Sequence, residues 1–298
     1  MRNLSYNVYP RLVNQQDSTK YDNLLVSGCS FTASGFNKVH EFKDNLIENY
    51  NRIKDDSWPN INSILEWSEL SQDIKDEVKQ HYDYTIEGYI TWPVYTRDLL
   101  GFKNLYDCSC AGSGNKHIHD SIIYEIETNE NINPNNTFVV VMWSGFNRDD
   151  FIADSDAIPR KFDPSHIYEY DEKVWLAYTG GEIGDGNTSL SMDNVKKIKS
   201  YRSRCIDNFI QMKSLEGYLQ SNNYQYVFTN FWLDARAQGY DIDEYLGNLT
   251  LPEILEPTIG EYAHMRHAKA LHDGFHPTSW LNMKWAERIL LPKIKSIV

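Results

Sequence analysis

The sequence predicts an α/β fold: a mostly parallel sheet covered by helices on both faces. Three observations carry this. Thr137–Trp143 is a continuous apolar, β-branched run, the pattern of a strand buried on both faces at the centre of a parallel sheet. Shorter apolar runs alternate with segments of helical periodicity, as crossover connections require. Glycine-bearing turns follow three of the runs and so converge on one sheet edge, where open α/β sheets place their ligands.

Taken in order, residues 1–22 are polar and irregular and read as a lead-in arm. Asn23–Ser27 is the first strand, with three consecutive apolar residues, and Gly28 then lets the backbone turn sharply. From 37 to about 87, apolar residues recur at helical spacing among acids and lysines; Leu70, Ile74 and Val78 fall four apart. This is a helical insertion, too long for a simple strand-to-helix connection, and such excursions beside a site are often lids. Residues 92–101 read as a short helix, with Pro93 in its first turn and Gly101 at its stop. Residues 104–110 are a second strand, with Cys108 and Cys110 on one face. Ala111-Gly112-Ser113-Gly114-Asn115 is a glycine-bearing loop, and a helix follows over 116–128. Asn133-Pro134-Asn135-Asn136 then turns the chain into the central strand.

Residues 148–193 break this rhythm. They hold a surface strand at 174–178 and a glycine run at 180–186, which lacks the Gly-Lys-Ser/Thr ending of a phosphate loop and reads as a turn. Residues 194–219 read as a long helix with Val195, Ile198, Tyr201, Cys205, Phe209 and Met212 as its stripe. A strand at 224–230 and a helical piece at 259–271 follow. The last helix runs from 279 to about 291, with Leu281, Trp285 and Ile289 inward and Thr278 or Ser279 as its cap. Pro292 should end or kink it, with Ile294 and Ile297 in a short helical tail. The whole reads as one domain over 1–298 with insertions at about 37–90 and 149–193.

Composition bounds the function. With 298 residues, 41% hydrophobic and 13% aromatic, the chain can bury a substantial core. A formal net charge of −13 disfavours a nucleic-acid binder, which would cluster lysine and arginine. No run of ~20 apolar residues exists to span a membrane. The first residues lack the apolar core of a signal peptide, which points to the cytoplasm. Cys29, Cys108, Cys110 and Cys205 form no CxxC pair, so neither a disulfide framework nor a structural zinc site is expected.

The chemistry-bearing residues fall on the converging turns. Ser30, in Gly28-Cys29-Ser30-Phe31-Thr32, would sit just past the end of the first strand. Asp273 and His276, in Asp273-Gly274-Phe275-His276-Pro277, are three apart, close enough for the carboxylate to fix the imidazole tautomer. The outer ring nitrogen could then take a proton from a serine, which is a weak nucleophile without such a base. Gly112, with Gly114 as a rival, offers an unobstructed backbone N–H, and Asn147 in Ser144-Gly145-Phe146-Asn147-Arg148 offers a side-chain donor. A tetrahedral oxyanion needs two or three such donors, each contributing about 10²–10³ in rate. Read singly, each block also fits an ordinary glycine turn, and His276 a local helix cap.

Together the four blocks, in this order, resemble the SGNH (GDSL-like) hydrolase superfamily, outside residues 37–90 and 149–193. The resemblance implies a three-layer α/β/α sandwich with a flavodoxin-like sheet. It implies Ser30 as nucleophile, His276 as general base and Asp273 as its orienting carboxylate. The N–H groups of Ser30 and Gly112 and the side chain of Asn147 would form the oxyanion hole. Cys29 and Arg148 stand where the family has aspartates, at positions that support the site. The implied activity is ester hydrolysis without a metal or organic cofactor, on a small-molecule or glycan ester such as an O-acetylated sugar; Trp58, Trp67, Trp175 and Trp232 could stack on sugar rings if exposed. Transfer of the acyl group to a sugar uses the same triad. Two other classes stay open. One is a metal hydrolase using His117, His119 and Asp120, or His264, His267 and His272, although His117 and His119 diverge on a helix. The other is a non-catalytic binding or assembly module on the same fold, for example a virion component.

Overall fold

A computed structural model describes residues 15, 18–29, 32, 91–109, 113–146, 148–154, 167–170, 173–179, 200–231, 249–262, 277 and 279–298. At 148–154, 167–170, 173–179, 201, 279 and 280 it describes the backbone alone. The predicted helical insertion, the glycine run at 180–186 and residues 194–199, 263–271 and 278 lie outside this set.

The fold is mixed α/β. Strands β1 (Asn23–Ser27), β2 (Asn104–Asp107), β3 (Thr137–Trp143) and β7 (Gln225–Asn230) form a four-stranded, all-parallel sheet in the order β2-β1-β3-β7. Register is fixed by pairs such as Val26 with Asp107, Ser27 with Val141 and Trp143 with Asn230. The C-terminal ends of all four strands therefore meet at one edge. β3 is buried along its whole length, as its unbroken apolar sequence requires.

Alternate residues of these strands belong to two apolar clusters. Leu24, Val26, Phe138, Val140 and Val227 pack with helix α1 (Trp92–Leu100) and the C-terminal helices α4 (Ser279–Trp285) and α5 (Leu291–Ile297). Leu25, Val139, Val141, Trp143 and Phe228 pack with α2 (Asn115–Thr128) and α3 (Tyr201–Ser221). Trp143 and Phe228 meet edge to face at 5.3 Å, and Trp92 and Trp285 do so at 5.9 Å, geometries that contribute about 0.5–1.5 kcal/mol beyond area burial.

Helix α1 has the predicted boundaries: Pro93 in the first turn and Gly101 at the C-cap with φ 72°. Gly101 N–H and Phe102 N–H donate to Asp98 O and Arg97 O and close the helix end. Every residue of α1 is buried, including the Arg97–Asp98 ion pair at 2.6 Å. The end of the lead-in arm is docked rather than loose. Thr19 N–H donates to Leu100 O, and Tyr21 packs edge to face on Phe138.

Two sequence expectations are corrected. The second strand stops at Asp107, three residues early, because Asp107 Oδ1 accepts the Ser109 N–H at 2.9 Å and turns the chain. The long helix begins at Tyr201 rather than 194, because Ser200 is extended and its hydroxyl caps Ser203 N–H at 3.1 Å. The short helical tail expected at Pro292 is present as α5, which holds Ile294 and Ile297. A π turn over Ala286–Leu290 precedes it, in which Leu291 N–H donates to Ala286 O, and α5 restarts with the proline in its first turn. Ile289 is half-buried and packs against the inner cluster as expected, and Leu290 and Leu291 beside it are buried.

The rest of the described chain flanks this frame. Strands β4 (Arg148–Asp154), β5 (Ile167–Tyr170) and β6 (Lys173–Thr179) form a separate antiparallel sheet in the order β4-β6-β5, within the predicted insertion. Residues 249–262 run beside β7, with a parallel bridge between Thr229 and Leu255. Among the described residues no helix is long and apolar enough to cross a membrane.

Candidate functional site

Ser30, Gly112, Asn147, Asp273 and His276 lie outside the described residues, as do His264, His267 and His272. Cys29, Ser113, Phe146 and Pro277, next to Ser30, Gly112, Asn147 and His276, are described, and hydrogen bonds tie the described parts of these turns together near the C-terminal edge of the parallel sheet. The strand order reverses there between β1 and β3, the position at which open α/β sheets bind ligands.

The turn after β1 is held from three directions. Thr32 N–H donates to Cys29 O at 2.8 Å, pinning the two residues that flank Ser30 and Phe31. Ser113 Oγ donates to Gly28 O at 3.0 Å, and Thr91 Oγ1 donates to Thr32 O. Gly28 is needed for close approach: a Cβ there would lie 2.0 Å from Thr32 Oγ1 and 3.1 Å from Met142 O. Cys29 is fully buried in the α1 cluster as a packing residue.

The turns after β2 and β3 are joined to each other. Asn115, the first residue of α2 after its N-cap Gly114, accepts Ser144 N–H on Oδ1 at 2.6 Å and donates from Nδ2 to Ser144 O at 3.1 Å. Its Nδ2 also donates to Asn208 Oδ1 at 2.6 Å, and Asn208 Nδ2 donates to Phe146 O at 3.3 Å. The C-terminal block is tied in through Pro277, whose carbonyl accepts Asn282 Nδ2 at 3.1 Å. Asn282 Oδ1 accepts the N–H of Trp92 at 3.1 Å, beside Thr91. The described neighbours of the four blocks are thus cross-linked: first to second by Ser113, second to third by Asn115, fourth to first through Asn282 and Thr91. Each neutral hydrogen bond of this kind contributes about 0.5–1.5 kcal/mol net and leaves a costly orphan when broken.

Sequence reasoning missed Thr91, Ser113, Asn115, Asn208 and Asn282. Single polar residues at these positions look like surface. The one available signal was Asn115, which follows a glycine loop and opens a helix.

Two titratable groups near this edge are strongly displaced. Burial raises the Asp107 carboxyl from 3.8 to about 6, with the Ser109 hydrogen bonds opposing it. Burial lowers His117 to about 4, with nearby Asp120 opposing it. Burial also pushes the Cys108 thiol up, helped by Glu125 and Asp107.

One Ser–His–Asp series does occur among the described residues. His119 Nδ1 lies 2.6 Å from Asp120 Oδ1, and His119 Nε2 lies 3.3 Å from Ser214 Oγ. Burial alone would raise the Asp120 carboxyl, but bonds to His119 and Lys116 hold it below its ordinary value. Ser214 sits inside α3, where the helix ladder already engages the backbone N–H groups that usually receive an oxyanion. His117 is buried while His119 engages Asp120 and Ser214, so the two rings do not converge on a common ligand. Among the described residues no group of three or more histidine, cysteine, aspartate or glutamate side chains could hold a metal ion.

No protein-family model, curated protein or solved structure matches this chain.

Proposed function

We propose that this chain is a serine esterase of the SGNH type, built on a three-layer α/β/α sandwich with a flavodoxin-like sheet. The observation that carries this reading is the cross-linking of the residues adjoining Ser30, Gly112, Asn147 and His276 at the reversal point of a parallel sheet. The strand order and the two apolar clusters support the sandwich.

Ser30 Oγ attacks the acyl carbonyl while His276 takes its proton, and Asp273 fixes the imidazole tautomer and favours its charged form. The N–H groups of Ser30 and Gly112 and the amide of Asn147 receive the oxyanion. His276 then protonates the departing alkoxide, the acyl group stays on Ser30, and water releases it by the same steps in reverse. The substrate class is an O-acyl, chiefly O-acetyl, ester of a carbohydrate, with the insertions at about 37–90 and 149–193 shaping the cleft.

The test is labelling with a fluorophosphonate probe. The native chain and Ser214→Ala should label, while Ser30→Ala and His276→Ala should not. A folded native chain that stays unlabelled would overturn the esterase and put a non-catalytic binding or assembly module in its place.

A further inference from the structure

We infer that the Trp143 indole and the Asn230 side chain bind one internal water between them, where β3 and β7 end at the C-terminal edge of the parallel sheet. Such a site uses none of the residues of the proposed esterase and stands without it.

Trp143 ends β3 and Asn230 ends β7, and the two are the last register partners of these adjacent parallel strands. Neighbouring strands lie about 4.8 Å apart, and register partners present their side chains to one face of the sheet. That face is the one covered by α2 and α3, where Trp143 and Phe228 share an apolar cluster. The Trp143 ring meets the Phe228 ring edge to face at 5.3 Å. Phe228 stands two residues before Asn230 on β7, and so on the same face. The indole therefore leans across to β7, beside the position that Asn230 holds.

Both residues carry a polar atom that the fold seals from solvent. Trp143 is 0% exposed and Asn230 4%. Among the described residues neither Trp143 Nε1 nor Asn230 Oδ1 has a hydrogen-bond partner, so the two do not bond to each other. The main chain beside them is already engaged: Phe231 N–H donates to Trp143 O at 3.3 Å, and Thr229 Oγ1 donates to Asn230 O at 3.4 Å. An indole N–H only donates and an amide oxygen only accepts. Together they are complementary to one hydroxyl that accepts from the first and donates to the second. Left unmatched, each atom would lower the folding equilibrium constant by about 5- to 100-fold. Buried waters sit on polar groups left over in this way, and a closed apolar surround admits water rather than a larger alcohol. The bridge adds a side-chain rung to the β3–β7 pairing at the strand end from which Ser144 continues.

The test is a crystal structure of the full native chain at a resolution that shows ordered water. In solution it is joined by magnetic relaxation dispersion of the solvent, measured on the native chain and on Asn230→Leu, which keeps the side-chain volume without the acceptor. The expected density is one water within about 3.2 Å of both Trp143 Nε1 and Asn230 Oδ1. The dispersion amplitude of Asn230→Leu should be lower by about one long-lived water. In urea unfolding, Trp143→Phe and Asn230→Leu should each lower the folding constant by ~5- to 30-fold. The double variant should lose clearly less than the product, because removing both ends of the bridge leaves no orphan. Empty density, an organic molecule in place of the water, or Trp143 Nε1 bonded to a protein group would overturn the assignment. So would an unchanged dispersion amplitude in folded Asn230→Leu, or losses that simply multiply. If Asn230→Leu does not fold, the density in the native chain decides alone.

Discussion

Two buried groups give the folded chain opposite responses to pH, and removing either should expose the other. The Asp107 carboxyl is raised by burial from 3.8 to about 6, and the His117 imidazole is lowered by burial from 6.5 to about 4. Each displacement makes the charged form about 3 kcal/mol less favourable in the folded chain than in the unfolded one. The signs differ. The stability Asp107 contributes is complete below about pH 4 and is lost as pH climbs through about 6. The stability His117 contributes is complete above about pH 6.5 and is lost as pH falls through about 4. Across that window the two nearly cancel in the native chain. Asp107→Asn keeps an acceptor for the Ser109 N–H but cannot ionise. In urea unfolding, its stability relative to the native chain should rise by about 3 kcal/mol from about pH 4 to about pH 7. His117→Gln should fall relative to the native chain by a similar ~3 kcal/mol over the same range. Subtracting the native chain cancels every group that titrates alike in both proteins. Differences that stay flat with pH, or that carry the opposite signs, would refute the assignment of these groups to a dry environment.

Two further substitutions test the frame of the site. Gly28→Ala places a Cβ 2.0 Å from Thr32 Oγ1 and should cost at least about 1–3 kcal/mol in urea unfolding, with fluorophosphonate labelling slowed because the turn flanking Ser30 must shift; unchanged stability would contradict the close approach. Trp285→Ala removes a fully buried ring, its edge contact with Trp92 and its 2.9 Å hydrogen bond to Pro257 O, and should cost about 3–5 kcal/mol; a loss under ~1 kcal/mol would mean the α1 and α4 layer is not packed as described.

The parts of the fold that the sequence made legible are those where one local signal decides the outcome. β3 was readable because a strand buried on both faces has no polar positions to interrupt it. The limits of α1 were readable because proline at a helix start and glycine in the left-handed C-cap are nearly forced. Misjudged boundaries had two competing signals. The alternation through Tyr106 and Cys108 favoured a longer β2, but the Asp107 carboxylate captured a backbone N–H first. Val195 and Ile198 extend the α3 stripe on paper, but Ser200 caps the helix behind them. β4, Arg-Asp-Asp-Phe-Ile-Ala-Asp, was invisible because its three acids and arginine hide a pattern that only antiparallel pairing with β6 makes regular. The four blocks proposed to carry the chemistry were picked out by residue type and order. The asparagines and hydroxyls that fasten their neighbours could not be, because a polar residue's burial depends on what the rest of the chain brings to it.

In the proposed esterase Ser30 is an activated nucleophile. Its most direct test is to treat the native chain with a fluorophosphonate, digest it, and map the adduct by mass spectrometry. The expected result is a single phosphonylated site at Ser30, absent in His276→Ala. No adduct on a folded chain, or an adduct at Ser214 instead, would contradict it.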